Sequence, residues 1–292
     1  MTTEQSNPDS SSIDTMDSLA IVDLINREDQ GVASAVATQR VAIAAAIDRI
    51  TKIMAAGGRL IYVGAGSSGR LGVLDASECP PTFNVTQDTV IGIIAGGPTA
   101  LTNAIEGAED DEATAVVDLK LIEFQRTDIL VGVATSGHTP YVLAAIRYAN
   151  FLGAPTIGVT CNEATPLHPL VDVIIAPIVG PEVITGSTRL KAGTATKMVL
   201  NMLSTGAMIR LGKTYGNLMV DLRATNTKLR QRCVRIVQML TGLDDEAAQQ
   251  LLEQANGQLK TAIVAQRCAV SIADARARLR AAHGHLRTAL HQ

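Results

Sequence analysis

Apolar residues form five short, almost continuous runs in the first two thirds of the chain. Glycine or polar residues bound each run, at residues 60–63, 90–94, 129–134, 156–159 and 171–176. Runs of this kind are typical of strands that are buried on both faces of a parallel sheet. Segments with helical spacing lie between them, notably at about 100–123 and 141–152. Strands that alternate with helices predict a doubly wound α/β sandwich.

Two further regions are predicted to be helical. One runs from residue 18 to about residue 56 as a single long acidic region, and Gly57 and Gly58 end it. The other covers residues 190–211 and carries small or apolar residues on most sides. We expect this helix to be buried at an interface, and we infer from it that the protein dimerises.

The ends of the chain differ from its middle. Residues 1–17 are polar and are predicted to be disordered. After residue 240 the pattern indicates a small bundle of three short helices, one of which begins with a capping box at Ser271 to Asp274. We therefore expect a main domain over residues 18–240 and a small helical domain over residues 241–292.

The composition narrows the choice of partners. The chain has 292 residues, a formal net charge of -3 and only 2% aromatic residues. Single-strand nucleic-acid binding uses aromatic rings for stacking, and phosphate-backbone binding uses positive charge. Nucleic acid is therefore excluded as a partner. A membrane is excluded too, because no window offers the roughly 18 apolar residues that a spanning helix needs.

The cysteines and the first residues bear on location. Cys79, Cys161, Cys233 and Cys268 lie far apart and show no metal-ligand spacing. The opening MTTEQSNPDSSS lacks the basic and apolar regions of a signal peptide. We therefore expect a soluble cytoplasmic protein with reduced thiols, without a metal or another cofactor.

Two predicted strand-to-helix junctions resemble each other. Residues 64–69 read GAGSSG and residues 135–140 read TSGHTP, so each strand leads into a Ser-Gly turn and then a helix. Free N–H groups at a helix start bind anions, and hydroxyl groups add donors. A third candidate loop at 180–191 precedes the long apolar helix. Ser187 and Thr188 can cap that helix and also face a ligand, and taken alone the pattern favours capping.

The first junction also satisfies GxGxxG, the dinucleotide-binding pattern. That pattern alone is weak, and the acidic ribose partner about 20 residues further on is missing, since position 84 is Asn. A pair of serines suits a phosphate monoester better than a pyrophosphate. The junctions therefore favour a phosphate ester, with a plain tight turn as the alternative for either loop alone.

Two carboxylates follow predicted strands. Glu78 precedes Pro80 and Pro81, which we expect to hold it on a stiff turn. Glu109 lies in an acidic run that is more typical of a solvated helix end. Carboxylates in different environments can divide acid and base roles, although composition alone does not single out Glu109.

Five long stretches of the chain are distinctive: GRLIYVGAGSSGRLGVLDASECPPTF, AIEGAEDD, VATSGHTPYV, GSTRLKAGTATKMVLN and GKTYGNLMVDLRATN. With them the chain resembles the N-acetylmuramic acid 6-phosphate etherase family, and the resemblance covers about residues 18–240. It implies a SIS (sugar isomerase) domain, an αβα sandwich with a five-stranded parallel sheet that binds phosphosugars, normally as a homodimer. The closing helices are similar to the small helical, UBA-like C-terminal domain of that family.

The resemblance also implies roles for individual residues. Glu78 and Glu109 match the two catalytic glutamates. His138 is given no catalytic role, and Thr188 and Arg189 match a ligand loop less closely. The positions that match substrate-binding loops are Ser67, Ser68, Ser136, Gly137, Thr139 and Ser187.

The implied reaction is that of a carbon–oxygen lyase in the catabolism of peptidoglycan amino sugars. The D-lactyl ether of N-acetylmuramic acid 6-phosphate is cleaved to N-acetylglucosamine 6-phosphate and D-lactate by elimination and then hydration. Glu109 would remove the C2 proton and Glu78 would protonate the departing lactate oxygen. No cofactor and no metal are implied.

Two other functions remain open. An aldose–ketose phosphosugar isomerase could use the same loops, with Glu182 as its base. The second alternative is a regulator that binds sugar phosphates without catalysis, similar to the glucokinase regulatory protein, which is a relative of the etherases. That relative carries two SIS units, whereas this chain has room for one.

Overall fold

The computed structural model describes residues 1–222 and 227–291. These residues form two compact units. The first consists of Met1–Ser77 and Gln87–Ser204, and the second consists of Glu78–Thr86 and Thr205–Gln292.

The first unit is built on a parallel sheet of five strands in the order β2-β1-β3-β4-β5. Because the chain first adds a strand on one side of β1 and then continues on the other, the sheet is doubly wound, as predicted. The strands are β1 (Leu60–Gly64), β2 (Val90–Ile94), β3 (Ile129–Val133), β4 (Thr156–Val159) and β5 (Val173–Ile175).

The central strands are buried throughout. Every residue of β1, β3 and β4 is inaccessible to solvent. Leu60 aligns with Val90 on one side and with Ile129 on the other. Helices that cover both faces remove the need for a polar face, which explains why these strands lack an alternating pattern.

The helical region that precedes the sheet is divided into α1 (Ser18–Asp29), α2 (Val32–Thr38) and α3 (Arg40–Ala55). The prediction that residues 18 to about 56 are helical is confirmed, and the region consists of three helices. The backbone leaves the helical conformation at Gln39, whose side chain accepts a hydrogen bond from the N–H of Ala176.

The remaining helices that begin in the first unit follow strands or long loops. These helices are α4 (Gly66–Phe83), α5 (Glu112–Leu121), α6 (Pro140–Leu152) and α7 (Lys191–Arg210). The predicted apolar helix is confirmed within a residue at each end as α7. Gly153, in the left-handed conformation, caps the end of α6.

The first 17 residues are ordered, which corrects the prediction of disorder. They form short 3-10 helices at Thr2–Glu4, Pro8–Ser10 and Ile13–Thr15. Thr3 is fully buried, and its N–H donates to Asn162 Oδ1 at 3.2 Å. Polar composition suggests disorder because such segments bury little apolar surface, but here specific polar partners hold the segment.

The second unit has its own apolar core. A two-stranded antiparallel hairpin, β6 (Thr214–Tyr215) and β7 (Leu218–Met219), precedes its helices. Among the described residues, four helices rather than the predicted three follow residue 241. The four are α9 (Asp245–Gln254), α10 (Leu259–Cys268), α11 (Ile272–Ala281) and α12 (Leu286–His291), and α8 (Thr227–Thr241) precedes them.

The predicted cap of α11 is present, because Ser271 Oγ accepts the N–H of Asp274 at 3.1 Å. The compact units divide the chain at Thr205, whereas the sequence placed the boundary at residue 240. The difference arises because α8 packs with α9 and α10. Across residues 1–222 and 227–291, no helix combines the length and the apolar character needed to cross a membrane.

Candidate active site

Loops at one edge of the sheet hold most of the candidate residues. The strands are parallel, so the segments that follow β1, β2, β3 and β5 all leave from their carboxyl ends. Ligands of open α/β sheets bind at this edge. Ser67 and Ser68 follow β1, Glu109 follows β2, Ser136 lies after β3, and Ser187 lies after β5.

The first loop brings the start of α4 against the end of β1. A side chain at Gly64 would place its Cβ 2.7 Å from the N atom of Gly69, and one at Gly69 would lie 2.6 Å from the oxygen of Gly64. Glycine at both positions therefore allows this close approach. Ser67 and Ser68 occupy the first turn of α4, where the N–H groups lack helical acceptors. This arrangement can bind an anion.

The second loop turns sharply at Gly137, which has a φ of +71°. A Cβ there would lie 2.2 Å from Thr165 Oγ1, so the loop rests directly on that side chain. Ser136 Oγ accepts the N–H of His138 at 3.1 Å, and His138 Nδ1 lies 2.8 Å from the oxygen of Ser136. Thr139 follows immediately and is the N-cap residue of α6.

The third loop is organised by a carboxylate that the sequence had suggested for another role. Glu182 is fully buried, and its oxygens accept the N–H groups of Lys191 at 3.0 Å and Ala192 at 2.9 Å. Glu182 therefore caps α7, and the predicted capping by the side chains of Ser187 and Thr188 was wrong. Both of those residues are half-buried, and Arg189 is exposed.

The cation next to this loop is paired within the chain. Lys191 Nζ lies 2.5 Å from Glu28 Oε2, and Asn7 Nδ2 donates to the same oxygen at 2.9 Å. The hydrogen bond from Lys191 is the main cause that lowers the pKa of Glu28. The side chain of Lys191 is only 5% exposed, so its charge balances that of Glu28.

Glu109 is exposed and lies in a short 3-10 helix, Ala108–Asp110, that follows β2. The preceding segment is fixed to α4 by Arg70. Its Nε donates to the oxygen of Leu101 and its Nη2 to the oxygen of Asn103, both at 3.0 Å. The candidate base and the candidate serines therefore sit on segments that one guanidinium joins.

Glu78 is exposed and lies inside α4, not on the predicted turn. Pro80 and Pro81 are also within that helix. Proline lacks the N–H that a helical hydrogen bond needs, but the helix nevertheless continues to Phe83. Glu78 belongs to the second compact unit, whereas the other candidate residues belong to the first.

A buried carboxylate in the first unit was missed by the sequence analysis. Asp75 accepts hydrogen bonds from Asn201 Nδ2 at 2.7 Å, Ser204 Oγ at 3.1 Å and the Tyr62 hydroxyl at 2.9 Å. Burial raises the pKa of Asp75 despite these donors. The network joins α4 to α7 and β1. An acidic residue in the otherwise apolar stretch before Glu78 was the available signal.

Residues 1–222 and 227–291 contain no group of three or more His, Cys, Asp or Glu side chains placed to hold a metal ion.

Family models match most of the main domain. Residues 42–150 match the N-terminal SIS domain of glucokinase regulatory protein, and residues 109–206 match the SIS domain. Residues 216–260 match the C-terminal lid domain of glucokinase regulatory protein. Together with the doubly wound sheet and its serine loops, these matches define a SIS-domain protein.

Solved structures agree with this fold. A phosphoheptose isomerase from Francisella tularensis superposes with a TM-score of 0.51 at 18% identity, covering 66% of this chain and 100% of that one. A putative phosphosugar isomerase from Bacteroides fragilis superposes with a TM-score of 0.50 at 22% identity, covering 65% of this chain and 91% of that one.

Curated relatives are much closer in sequence. The N-acetylmuramic acid 6-phosphate etherase of Rhodopirellula baltica is 57% identical over 98% of this chain and 95% of its own. The protein of the same name from Pectobacterium atrosepticum is 51% identical over 99% of this chain and 96% of its own. This chain belongs to the N-acetylmuramic acid 6-phosphate etherase family.

Proposed function

We propose that the protein cleaves the D-lactyl ether of N-acetylmuramic acid 6-phosphate and releases N-acetylglucosamine 6-phosphate and D-lactate. It is a carbon–oxygen lyase of amino sugar catabolism. The observation that carries this proposal is the 57% identity over 98% of the chain to a curated etherase. The SIS fold supports a phosphosugar substrate.

The phosphate is proposed to bind at the loops after β1 and β3. Ser67 and Ser68 lie at the start of α4, and Thr139 lies at the start of α6, so N–H groups and hydroxyls are available as donors. Ser136 and Gly137 precede Thr139 on a turn that is packed against Thr165. Binding the phosphate far from the reacting carbons would orient the sugar without restricting the chemistry.

The two glutamates are proposed to act as base and acid. In the open-chain sugar the C2 proton is adjacent to an aldehyde, so a carboxylate can remove it. Glu109 takes that proton, the bond between C3 and the ether oxygen breaks, and Glu78 gives a proton to the departing lactate oxygen. Glu78 then takes a proton from water, which adds at C3, and a proton returns to C2. General acid–base catalysis of this kind contributes about 10²–10⁴-fold.

The structure weighs against the isomerase alternative. A base must reach the C2 proton of the substrate, but Glu182 is fully buried and both of its oxygens accept N–H groups at the start of α7. The first unit also contains a single five-stranded sheet, which does not favour a regulator with two SIS units.

We also propose that the protein is a cytoplasmic homodimer. In the structure α7 is largely buried within its own chain, so the sequence argument for dimerisation is weakened there. Support comes instead from α1 and α3, where Leu19, Val22 and Val41 are 60–74% exposed. Sedimentation at micromolar concentration is expected to give the mass of a dimer, and a monomer alone would overturn this proposal.

The activity is tested by measuring D-lactate release from N-acetylmuramic acid 6-phosphate with a chelator present. Wild type is expected to release D-lactate, while Glu78→Gln and Glu109→Gln are expected to lose about 10²–10⁴-fold in kcat. Asp110→Asn, an exposed neighbour of Glu109, is the matched control and should change kcat by no more than about twofold. In D₂O the sugar product should carry deuterium at C2.

Other outcomes would reassign the protein. A folded wild type that binds phosphosugar but releases no D-lactate would overturn the lyase proposal. Full activity in Glu109→Gln would remove Glu109 from the chemistry while leaving the reaction itself in place.

A further inference from the structure

The carbonyl oxygen of Thr135, directly before Ser136, accepts hydrogen bonds from three donors. They are the N–H of Cys161 at 2.9 Å, Thr160 Oγ1 at 3.0 Å and Asn162 Nδ2 at 2.9 Å. All of these donors lie at the end of β4. The three residues are buried, so the hydrogen bonds are shielded from water. The oxygen is therefore held in one direction.

The direction of this carbonyl determines that of the next N–H. A trans peptide unit is planar, with its C=O and N–H pointing in opposite directions. Because the Thr135 oxygen points towards the end of β4, the N–H of Ser136 points away from it. Gly137 is held in turn by its contact with Thr165. The loop is thus rigid on the side opposite the proposed phosphate.

The amide of Asn162 is oriented by Thr3. Thr3 N–H donates to Asn162 Oδ1 at 3.2 Å, and Asn162 Nδ2 donates to Thr3 Oγ1 at 2.9 Å. Exchanging the two ends of the amide would place its oxygen against the Thr135 oxygen and its NH₂ against the Thr3 N–H. Thr3 and Asn162 are both almost fully buried. The reciprocal pair therefore selects the orientation in which Asn162 donates to Thr135.

We propose that Thr3 and Asn162 are positioning residues for the substrate-binding loop at Ser136 and Gly137. Thr3 orients the Asn162 amide, which fixes the peptide between Thr135 and Ser136 and presents the Ser136 N–H to the phosphate of the substrate. This inference rests on the proposed function for the identity of the ligand.

The test compares near-isosteric variants. Asn162→Asp replaces the donor to Thr135 with an oxygen, and Thr3→Val removes the acceptor for Asn162. Each should raise KM for N-acetylmuramic acid 6-phosphate about tenfold, the scale of one lost buried hydrogen bond, with kcat within about twofold. Thr3→Ser keeps the hydroxyl and should restore wild-type KM. Thr2→Val is the matched control at the neighbouring, less buried position.

Equilibrium binding of N-acetylglucosamine 6-phosphate gives a readout that does not depend on cleavage. Its Kd should rise in parallel with KM in Asn162→Asp and Thr3→Val. A lower kcat with unchanged KM and Kd would indicate loss of folded protein and would overturn the inference.

The proposed function can fail separately. If wild type binds N-acetylglucosamine 6-phosphate but releases no D-lactate, the lyase proposal fails and the Kd series alone decides the inference. If wild type releases D-lactate and all four variants keep its KM and Kd, the inference is wrong and the lyase proposal stands. Absence of phosphosugar binding by wild type would overturn both.

Discussion

The guanidinium of Arg70 donates a hydrogen bond to the carbonyl oxygen of Leu101 at 3.0 Å. Arg70 lies in the first turns of α4, two residues after Ser68, while Leu101 lies in the segment that leads to Glu109. Two segments that are distant in sequence thus share one side chain. The position of the proposed base therefore depends on the helix that starts at the proposed phosphate loop.

Replacing Arg70 with alanine should release the segment that carries Glu109. We expect kcat for D-lactate release to fall about tenfold, since small displacements of a catalytic group can cost up to about a hundredfold. Arg70→Lys should recover little, because an ammonium group cannot reproduce the planar arrangement of donors. Amide hydrogen exchange over residues 98–111 should accelerate in both variants.

Arg147→Ala is the control for this experiment. Arg147 pairs with Glu112 at 3.4 Å, and both side chains are about half exposed, so its loss should leave kcat unchanged. Unaltered exchange and unaltered kcat in Arg70→Ala would show that the segment is held by other contacts.

Glu182→Gln should lower the free energy of unfolding. The amide keeps one acceptor oxygen, so one of the two N–H groups at the start of α7 would face an NH₂ group instead. The free energy of unfolding should fall by about 1–3 kcal/mol. Denaturant unfolding measures the change, with the exposed Glu163→Gln as control. A variant that keeps its stability but loses all activity would instead support a catalytic base at this position.

The buried thiols should not react in the native protein. Burial raises the pKa of Cys161 to about 12 and also raises that of Cys233, so neither forms a thiolate near pH 8. Maleimide labelling followed by mass spectrometry should modify only Cys268, which is half-buried. If Cys161→Ser lowers the number of maleimide labels on the native protein, Cys161 is reactive and this expectation is wrong.

The ion pair of Glu28 and Lys191 should contribute to acid sensitivity. Because the pairing lowers the pKa of Glu28 below its ordinary value of 4.5, the folded state binds fewer protons than the unfolded state. This contribution is present above pH 4.5 and is lost as the pH falls through the lowered pKa. Glu28→Gln should be less stable at neutral pH and should flatten the acid side of the stability curve.

Unfolding measured from pH 3 to pH 7 checks the sign of this effect. The adjacent, exposed Asp29→Asn serves as control and should keep the wild-type profile. A Glu28→Gln profile that remains parallel to that of wild type would show that other groups cause the acid sensitivity.

The strands could be predicted because their burial is visible locally. Each continuous apolar run became a strand, although the last one shortened from residues 171–176 to Val173–Ile175. Helices on both faces of the sheet leave no polar position in a central strand, so a short window of sequence carries the signal. The serine loops were visible for a similar reason, since glycine is required where α4 approaches β1.

The order of residues 1–17 could not be predicted from such a window. Thr3 is held by Asn162, which is 159 positions away, and nothing in the polar composition indicates that partner. Likewise, the Pro pair after Glu78 suggested a turn, but the helix continues through it. For residues 1–17, a long-range contact outweighs the local preference.

The site was only partly visible in the sequence. Glu109 was proposed only through the family resemblance, because an acidic run is ordinarily a solvated surface. Arg70 and Asn162 were missed because they act on main-chain carbonyl oxygens, which leave no trace in the side-chain pattern. An amide residue three positions after the end of a strand, as at Asn162, was the available signal for that position.

The pairing of Thr3 with Asn162 constrains the order in which the protein folds. Thr3 is synthesised long before Asn162, and until β4 has emerged from the ribosome its buried partner does not exist. The nascent chain must therefore carry this segment unattached while α1 to α3 and the first strands form. Contacts with so large a sequence separation are slow to close, so seating of Thr3 should be among the last steps of folding.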